Sequence, residues 1–292
     1  MRSYNKNSLT RFCATVCKIM GISAPTCADA PLDWVCESLE DICKDGFDRV
    51  LIHNPDAVGM WLYQDYPDAF EPVLKHTHLT VPLRSPTPSV TPVCFGTMYT
   101  GAMPKVHGIQ EYSKPIIKID TFFDAVLRSG KKVAMIAPAR CSLANIFLER
   151  DIHFYHCTGE TEVMNTAIEL IEKDEYDVIL VYTYMFDTLN HRNGPEHPDT
   201  LRALYNQGKY FDTLATAVKK HWKDHNTFIS FSPDHGVHEV IPYGSELNSK
   251  GKPVRGHHGS DRTQDLNILH YMGAIRRSSG KSFEDAEESE PR

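Results

Sequence analysis

Four short and nearly continuous apolar runs, separated by longer amphipathic stretches, constrain the fold of this 292-residue chain more than any other feature. Each run has the length and composition of a strand buried on both faces of a sheet, at residues 48–53, 132–137, 177–184 and 227–232. The stretches with the apolar spacing of helices lie at residues 32–43, 121–128, 162–173 and about 199–223. This alternation predicts an α/β fold with a mostly parallel central sheet and helices on both faces.

Composition shifts along the chain suggest three parts. We expect a helical segment packed on the core at residues 1–47, a main α/β domain at 48–275 and a disordered, Ser/Glu-rich tail at 276–292. Residues 81–92 are rich in proline, which predicts an irregular connection rather than a helix or strand.

Charge and composition exclude several classes of partner. A net charge of −7 provides no positive field for a nucleic-acid polymer or an anionic membrane surface. No apolar run is long enough to span a membrane, and the N-terminal region is a poor signal peptide, so we expect a cytoplasmic protein. The eight cysteines form no CxxC pair and are interpreted as isolated buried thiols.

Potential metal ligands follow the predicted strands, at the edge of the sheet where α/β proteins bind ligands. The candidates are Asp56, Asp187, His191, Asp234, His235 and His258. Six nitrogen and oxygen donors are too many for one tetrahedral zinc and suit two metals, if a hydroxyl and solvent complete the coordination. The alternative interpretation is structural, with Asp-His-Gly forming a turn and Asp187 capping a helix.

Thr91 is the candidate nucleophile. It precedes a predicted helix that begins with Pro92 and stops near Gly101, so Thr91 is expected as the helix N-cap. That structural role is compatible with catalysis, because the helix dipole and a bound metal both favour the deprotonated hydroxyl.

Four spaced motifs resemble those of a known family. They are TPVCFGTMYTGAMPKVHGI, FDTLNHRNGP, PDHG and GHHGSD. In this order they resemble the type I phosphodiesterase/nucleotide pyrophosphatase branch of the alkaline phosphatase superfamily, over roughly residues 48–273.

The resemblance implies a phosphoric ester hydrolase that acts on a small phosphate ester or a nucleotide through a phosphothreonine on Thr91. It implies one metal on Asp187, His191 and His258, and a second on Asp56, Thr91, Asp234 and His235. Zinc is the usual metal of that branch, with manganese as the alternative, and His107 would be structural.

This chain also departs from the family pattern. Ala57 replaces the usual glycine, and Tyr112 occupies the approximate position of an asparagine that stabilises phosphoryl oxygens. Tyr112, Lys114 and Lys118 are therefore candidate substrate contacts, with backbone N–H groups. The short stretch between His235 and His258 predicts a core without a large cap.

Other functions remain open at this stage. A phosphomonoesterase or phosphomutase would use the same core, and residues 118–123 are similar to a mutase segment, although a mutase needs a cap. A sulfatase is disfavoured because Thr91 stands where sulfatases modify Cys or Ser. A non-catalytic, metal-stabilised binding protein would keep the ligands but would not need the Thr91 hydroxyl.

Overall fold

The computed structural model describes residues 3–248 and 250–278. Its strands are β1 (Asn7–Ser8), β2 (Arg49–Pro55), β3 (Leu79–Arg84), β4 (Val133–Pro138), β5 (His153–Cys157), β6 (Val178–Thr183), β7 (Thr227–Phe231), β8 (His238–Glu239), β9 (Gly256–His257) and β10 (Asn267–Ile275). Its α-helices are α1 (Arg11–Ile19), α2 (Asp33–Glu40), α3 (Met60–Asp65), α4 (Glu71–Leu74), α5 (Thr91–Thr100), α6 (Pro104–His107), α7 (Phe122–Arg128), α8 (Ser142–Ile146), α9 (Glu160–Lys173), α10 (Met185–Asn193), α11 (Pro198–His221) and α12 (Thr263–Leu266), with a 3₁₀ turn at Pro67–Phe70.

One mixed sheet organises the described residues, in the order β1-β3-β10-β7-β2-β6-β4-β5. The four predicted strands are β7, β2, β6 and β4, and they lie side by side and parallel in the middle of the sheet. β10 runs antiparallel to both of its neighbours. The prediction of a mostly parallel α/β sheet is confirmed.

Helices cover both faces because the central strands bury side chains on both sides. Along β6, Val178, Leu180 and Tyr182 belong to a core cluster that includes residues of α1, α5 and α7. The alternate residues Ile179 and Val181 belong to a second cluster, with residues of α9 and α11. This period-two alternation places one helical layer on each face.

The proline-rich segment differs from the prediction. Leu79–Arg84 forms β3, which pairs along its whole length with β10, so residues 81–84 are not irregular. Pro82 is tolerated because β1 pairs only with Leu83 and Arg84, which leaves Pro82 unpaired on that side of the sheet.

The first and last described segments join the same fold. β1 extends the sheet, and α1 and α2 contribute to one of the two core clusters, while the division into three parts stays a prediction. At the start of the predicted tail, Arg277 N donates to Asn226 Oδ1 and Ser278 N donates to the Lys223 carbonyl. The rest of that tail, residues 279–292, lies outside the described residues. No described helix is long and apolar enough to cross a membrane.

Candidate dinuclear metal centre

The first group of ligands, called here the Asp187 cluster, consists of Asp187, His191 and His258. Asp187 and His191 are one turn apart on α10, which begins as β6 ends, so their side chains share one helix face. His191 Nε2 lies 3.4 Å from Asp187 Oδ2 and 3.2 Å from His258 Nε2, and His258 Nε2 lies 3.6 Å from Asp187 Oδ1. Three donors from two distant segments therefore converge.

The second group, the Asp56 cluster, consists of Asp56, Asp234 and His235. Asp56 follows β2, and the adjacent pair Asp234-His235 lies in the loop after β7, the neighbouring strand. His235 Nε2 is 3.4 Å from both Asp56 Oδ1 and Asp234 Oδ2. The ring of His235 stacks on that of His258 with centroids 4.1 Å apart, so the two clusters adjoin each other.

The three carboxylates each present an oxygen without a partner. Asp234 Oδ1 accepts from the backbone N–H groups of Ala57 and His235, and Asp56 Oδ2 accepts from the Tyr182 hydroxyl. Within the described structure, Asp234 Oδ2, Asp56 Oδ1 and Asp187 Oδ1 are buried and have no hydrogen-bond partner. Buried acceptors of this kind are costly unless a ligand satisfies them.

Hydrogen bonds also orient the three imidazoles. His191 Nδ1 lies 2.9 Å from the Gly256 carbonyl, His258 Nδ1 lies 2.9 Å from that of Ser89, and His235 Nδ1 lies 3.0 Å from that of Gly236. A carbonyl can only accept, so each Nδ1 carries a proton, and a ring that is neutral, as metal binding requires, would present the lone pair of Nε2 to a metal. This is the arrangement that supports histidine ligands in metal sites.

The electrostatics of the two clusters reflect their closely spaced charges. Burial and the carboxylates of Asp234 and Asp187 raise the pKa of Asp56 well above its ordinary value. Burial opposes protonation of His191, but the Asp187 carboxylate outweighs it and raises the pKa of His191 to about 9. Burial favours the neutral form of Asp187, but His191 and His258 outweigh it and lower the pKa of that carboxyl. Divalent cations would relieve the repulsion among the acids.

The residues present thus fit two divalent cations, one for each cluster. The donors are imidazole nitrogens and carboxylate oxygens, a set suited to zinc and also acceptable to manganese. The two clusters contain all six predicted protein ligands besides Thr91. The identity of the metal stays a prediction.

Thr91 lies beside the Asp56 cluster, but it is not the helix cap that the sequence predicts. It is the first residue of α5, and Val90 is the N-cap. Among the described residues, the one hydrogen-bonding atom that contacts its hydroxyl is His235 Nε2, 3.4 Å from Thr91 Oγ1. The hydroxyl therefore has no capping role and faces the cavity in front of the clusters.

The backbone around two of the motif residues explains which side chains are tolerated there. Gly236 is required because a Cβ there would lie 2.0 Å from the Gln264 carbonyl oxygen. Ala57, the departure from the family pattern, has a φ of 68°, in the left-handed region where glycine is favoured. It nevertheless directs its N–H toward Asp234, so the replacement preserves the ligand contact.

A cavity of about 930 Å³ opens in front of the two clusters. Tyr112 and Lys114, two of the predicted substrate contacts, line it together with Thr91. The structure does not bring Lys118 to this cavity, because its side chain is 69% exposed and pairs with Glu149 at a different surface depression. His107 lies in the core, as expected, with Nε2 3.0 Å from the Thr97 hydroxyl.

Some supporting residues have no local sequence signal. Tyr182 holds Asp56, and Glu160 accepts hydrogen bonds from the first N–H groups of α10, but neither belongs to a motif. Tyr182 could have been suspected, because it is a polar side chain near the end of a buried strand. Glu160 gives no such signal before the fold is known.

The fold is similar to that of solved ectonucleotide pyrophosphatase/phosphodiesterases, the kind of protein that the motifs resemble. Murine ectonucleotide pyrophosphatase/phosphodiesterase 5, as an inactive Thr-to-Ala variant in complex with AMP, matches with a TM-score of 0.61 and 14% identity, over 79% of this chain and 89% of that one. A second structure of the same murine protein gives a TM-score of 0.60, also at 14% identity, over 78% of this chain and 89% of that one.

The human ectonucleotide pyrophosphatase/phosphodiesterase 5 is similar with a TM-score of 0.55 and 13% identity, over 77% of this chain and 87% of that one. No family model and no curated protein matches the sequence. At these identities the likeness concerns the fold, so the activity has to be argued from the site.

Proposed function

We propose that this protein is a metal-dependent phosphoric ester hydrolase of the phosphodiesterase/nucleotide pyrophosphatase type, with Thr91 as its nucleophile. The observation that supports this most directly is the buried Thr91 hydroxyl. It lies 3.4 Å from a histidine of the Asp56 cluster, faces the cavity and caps no described helix. A binding protein stabilised by metal would have no use for a hydroxyl in this position.

The reaction consists of two displacements at phosphorus. The Asp187 cluster and the Asp56 cluster would each hold a divalent cation, and this charge would lower the pKa of the Thr91 hydroxyl and neutralise phosphoryl oxygens. Thr91 Oγ1 forms a bond to phosphorus as the bond to the leaving oxygen breaks, and the hydroxyl proton passes to solvent. Water then attacks the phosphothreonine, which restores the Thr91 hydroxyl and releases the phosphate product.

A likeness in fold adds support from a related protein. The murine structure holds AMP in a variant that is inactive because a threonine is replaced by alanine. We infer that this chain also accepts a nucleotide or another small phosphate ester.

The cytoplasmic location expected from the sequence is retained as part of the proposal.

Substitution of Thr91 tests the proposal. As a nucleophile, Thr91→Ala should lose several orders of magnitude in kcat on bis-p-nitrophenyl phosphate while retaining bound metal, because the attacking oxygen is removed. Thr91→Ser should keep measurable turnover, because the hydroxyl survives. Metal content and circular dichroism of both variants control for loss of the site or the fold.

Two further measurements complete this test. Wild-type protein quenched in acid during turnover should carry phosphate on the peptide that contains Thr91, and chelator should abolish turnover reversibly. An alanine variant with undiminished kcat, or phosphate on another residue, would contradict the nucleophile assignment. Absence of turnover in metal-loaded wild type over a panel of phosphate esters would favour the non-catalytic binding protein.

A further inference from the structure

The cavity in front of the metal clusters is cationic at its outer part. Lys114, Arg140 and Lys250 line it, and the acidic side chains of its described lining are Asp56 and Asp187, which belong to the clusters. Within the described structure these three cations form no salt bridge with a carboxylate. Because the chain as a whole has a net charge of −7, a concentration of unpaired positive charge here requires an explanation.

The Lys114 side chain contacts the backbone of Arg140. Lys114 Nζ lies 3.4 Å from the Arg140 carbonyl oxygen, which also accepts from Asn145 Nδ2 at 3.2 Å. Arg140 has a φ of 62°, a left-handed conformation that is unfavourable for a residue other than glycine. Strain of this kind is typical of functional loops, and Lys114 and Arg140 both line the cavity.

Neither cation is saturated by these contacts. The Lys114 ammonium has three donors, of which the Arg140 carbonyl uses one, and its Nζ lies 5.7 Å from the centre of the Tyr112 ring. The Arg140 side chain is exposed to solvent at the cavity. Both residues can therefore donate charge-assisted hydrogen bonds to an anionic ligand.

Residues of the clusters and the three cations line one and the same cavity, so a single ligand can contact both. A volume of about 930 Å³ lies within the range that accommodates a drug-sized ligand and far exceeds what one phosphoryl group needs. The scissile phosphate would occupy the clusters, as the proposed function requires. The cations would then face a different part of the same substrate.

We propose that Lys114 and Arg140, with Lys250, form a subsite for a second anionic group of the substrate. This inference rests on the proposed function, since it assumes that one phosphate binds at the metal clusters. It assigns the substrate to a class, namely phosphoric esters or anhydrides that carry another phosphate or a carboxylate away from the scissile bond. Esters with a neutral remainder would bind more weakly.

Non-hydrolysable phosphonates test this proposal at binding equilibrium. A series of α,ω-alkane bisphosphonates of two to six carbons is compared with n-alkyl monophosphonates of equal length, by calorimetry on the metal-loaded wild-type protein. The varied length removes any assumption about the distance between subsites. A parallel series of ω-carboxyalkyl phosphonates distinguishes a carboxylate from a phosphate as the second anion, and metal analysis after titration controls for chelation.

One length should bind about 10- to 100-fold more tightly than its monophosphonate, as a charge-assisted contact predicts. In Lys114→Ala and in Arg140→Gln, the ratio of the monophosphonate Kd to the bisphosphonate Kd should fall by about 10-fold, and circular dichroism shows whether the fold is intact. Lys105→Ala, an exposed lysine on α6 outside the cavity lining, is the matched control and should have no effect.

The outcomes separate the two proposals. If monophosphonates bind but no second anion adds affinity at any length, the subsite is refuted and the proposed function is untouched. The subsite is equally refuted if the gain persists in the Lys114→Ala/Arg140→Gln double variant. If no phosphonate of any kind binds to metal-loaded protein, the proposed function itself is contradicted.

Discussion

At the scale of single residues, the Tyr182 hydroxyl determines which oxygen of Asp56 is free for a metal. It donates to Asp56 Oδ2, and Asp56 Oδ1 is left facing His235. Tyr182→Phe should lower metal affinity at the Asp56 cluster by about 10- to 100-fold, the usual effect of removing a hydrogen bond that orients a ligand. Titration with zinc against a competing chelator measures this.

The Asp187 cluster is the internal control for that experiment, because Tyr182 holds none of its members. In Tyr182→Phe we therefore expect weaker zinc binding at the Asp56 cluster and unchanged zinc binding at the Asp187 cluster. Circular dichroism should show that the fold is unchanged. A variant with wild-type zinc affinity at both clusters would show that Asp56 does not depend on this hydroxyl.

Residues of the site differ in how well the sequence reveals them. Asp56, Asp187 and Asp234 are predictable, because each follows a run that is recognisable as a buried strand and such ends meet at one edge of the sheet. Thr91 is predictable as a site residue but not as the first residue of α5, since helix boundaries shift by one or two residues without a change in pattern. The sequence also predicts Lys118 as a substrate contact, because no local feature of the sequence distinguishes it from Lys114.

At the scale of elements, α10 carries both Asp187 and His191 to the cavity, so its position matters for the Asp187 cluster. Glu160, the first residue of α9, accepts from the N–H groups of Tyr184 and Met185 at 2.7 and 2.8 Å. Burial raises the pKa of this carboxyl, while the two N–H groups act in the opposite direction. Glu160 thus fixes the start of α10 from a neighbouring helix.

Substitution of Glu160 should affect both stability and metal binding. Glu160→Ala leaves two N–H groups unpaired, which should lower the free energy of unfolding by about 1–3 kcal/mol and weaken metal binding at the Asp187 cluster. Glu160→Gln keeps an acceptor oxygen and should be milder in both respects. Urea unfolding without metal and zinc titration measure the two effects separately.

The exposed Glu169 on the same helix, paired with Lys173, provides the matched control. Glu169→Ala should change neither quantity appreciably, since surface ion pairs contribute little. If Glu160→Ala behaved like Glu169→Ala, the start of α10 would have to be fixed by other contacts.

Strands that are apolar throughout can be predicted from the sequence. Strands that form only because they pair with a distant segment cannot. The central strands β2, β4, β6 and β7 are apolar on both faces and can be recognised from their composition alone. β3 contains Pro82 and alternates buried with exposed residues, and its partner β10 lies far away in sequence, so its strand character arises from pairing. Tertiary pairing overrides local propensity in such a case.

At the scale of the whole molecule, three histidines buried in the core make the fold sensitive to acid. Burial lowers the pKa of His53 and of His270 to about 3 and that of His107 to about 4. An unfolded chain protonates these rings below about pH 6.5, whereas the folded protein keeps them neutral. Stability is therefore lost as the pH falls from about 6.5 toward 4.

His53 allows this contribution to be isolated. Its Nε2 lies 2.9 Å from the Thr183 hydroxyl, which itself donates to Gln207, so the ring donates and Nδ1 is left without a partner among the described residues. In His53→Gln the amide can still donate to Thr183 but cannot titrate. Between about pH 4 and 6, the unfolding free energy of wild type should fall more steeply, by about 1.4 kcal/mol per pH unit.

Urea unfolding of both proteins at several pH values, with chelator present throughout, measures this difference in slope. Chelator matters because loss of metal at low pH would otherwise add its own pH dependence. The carboxylates of the Asp56 cluster, whose pKa values are raised, act in the opposite direction but do so in both proteins, so they cancel in the comparison. Parallel slopes for wild type and His53→Gln would mean that His53 is as easily protonated in the folded protein as in the unfolded chain.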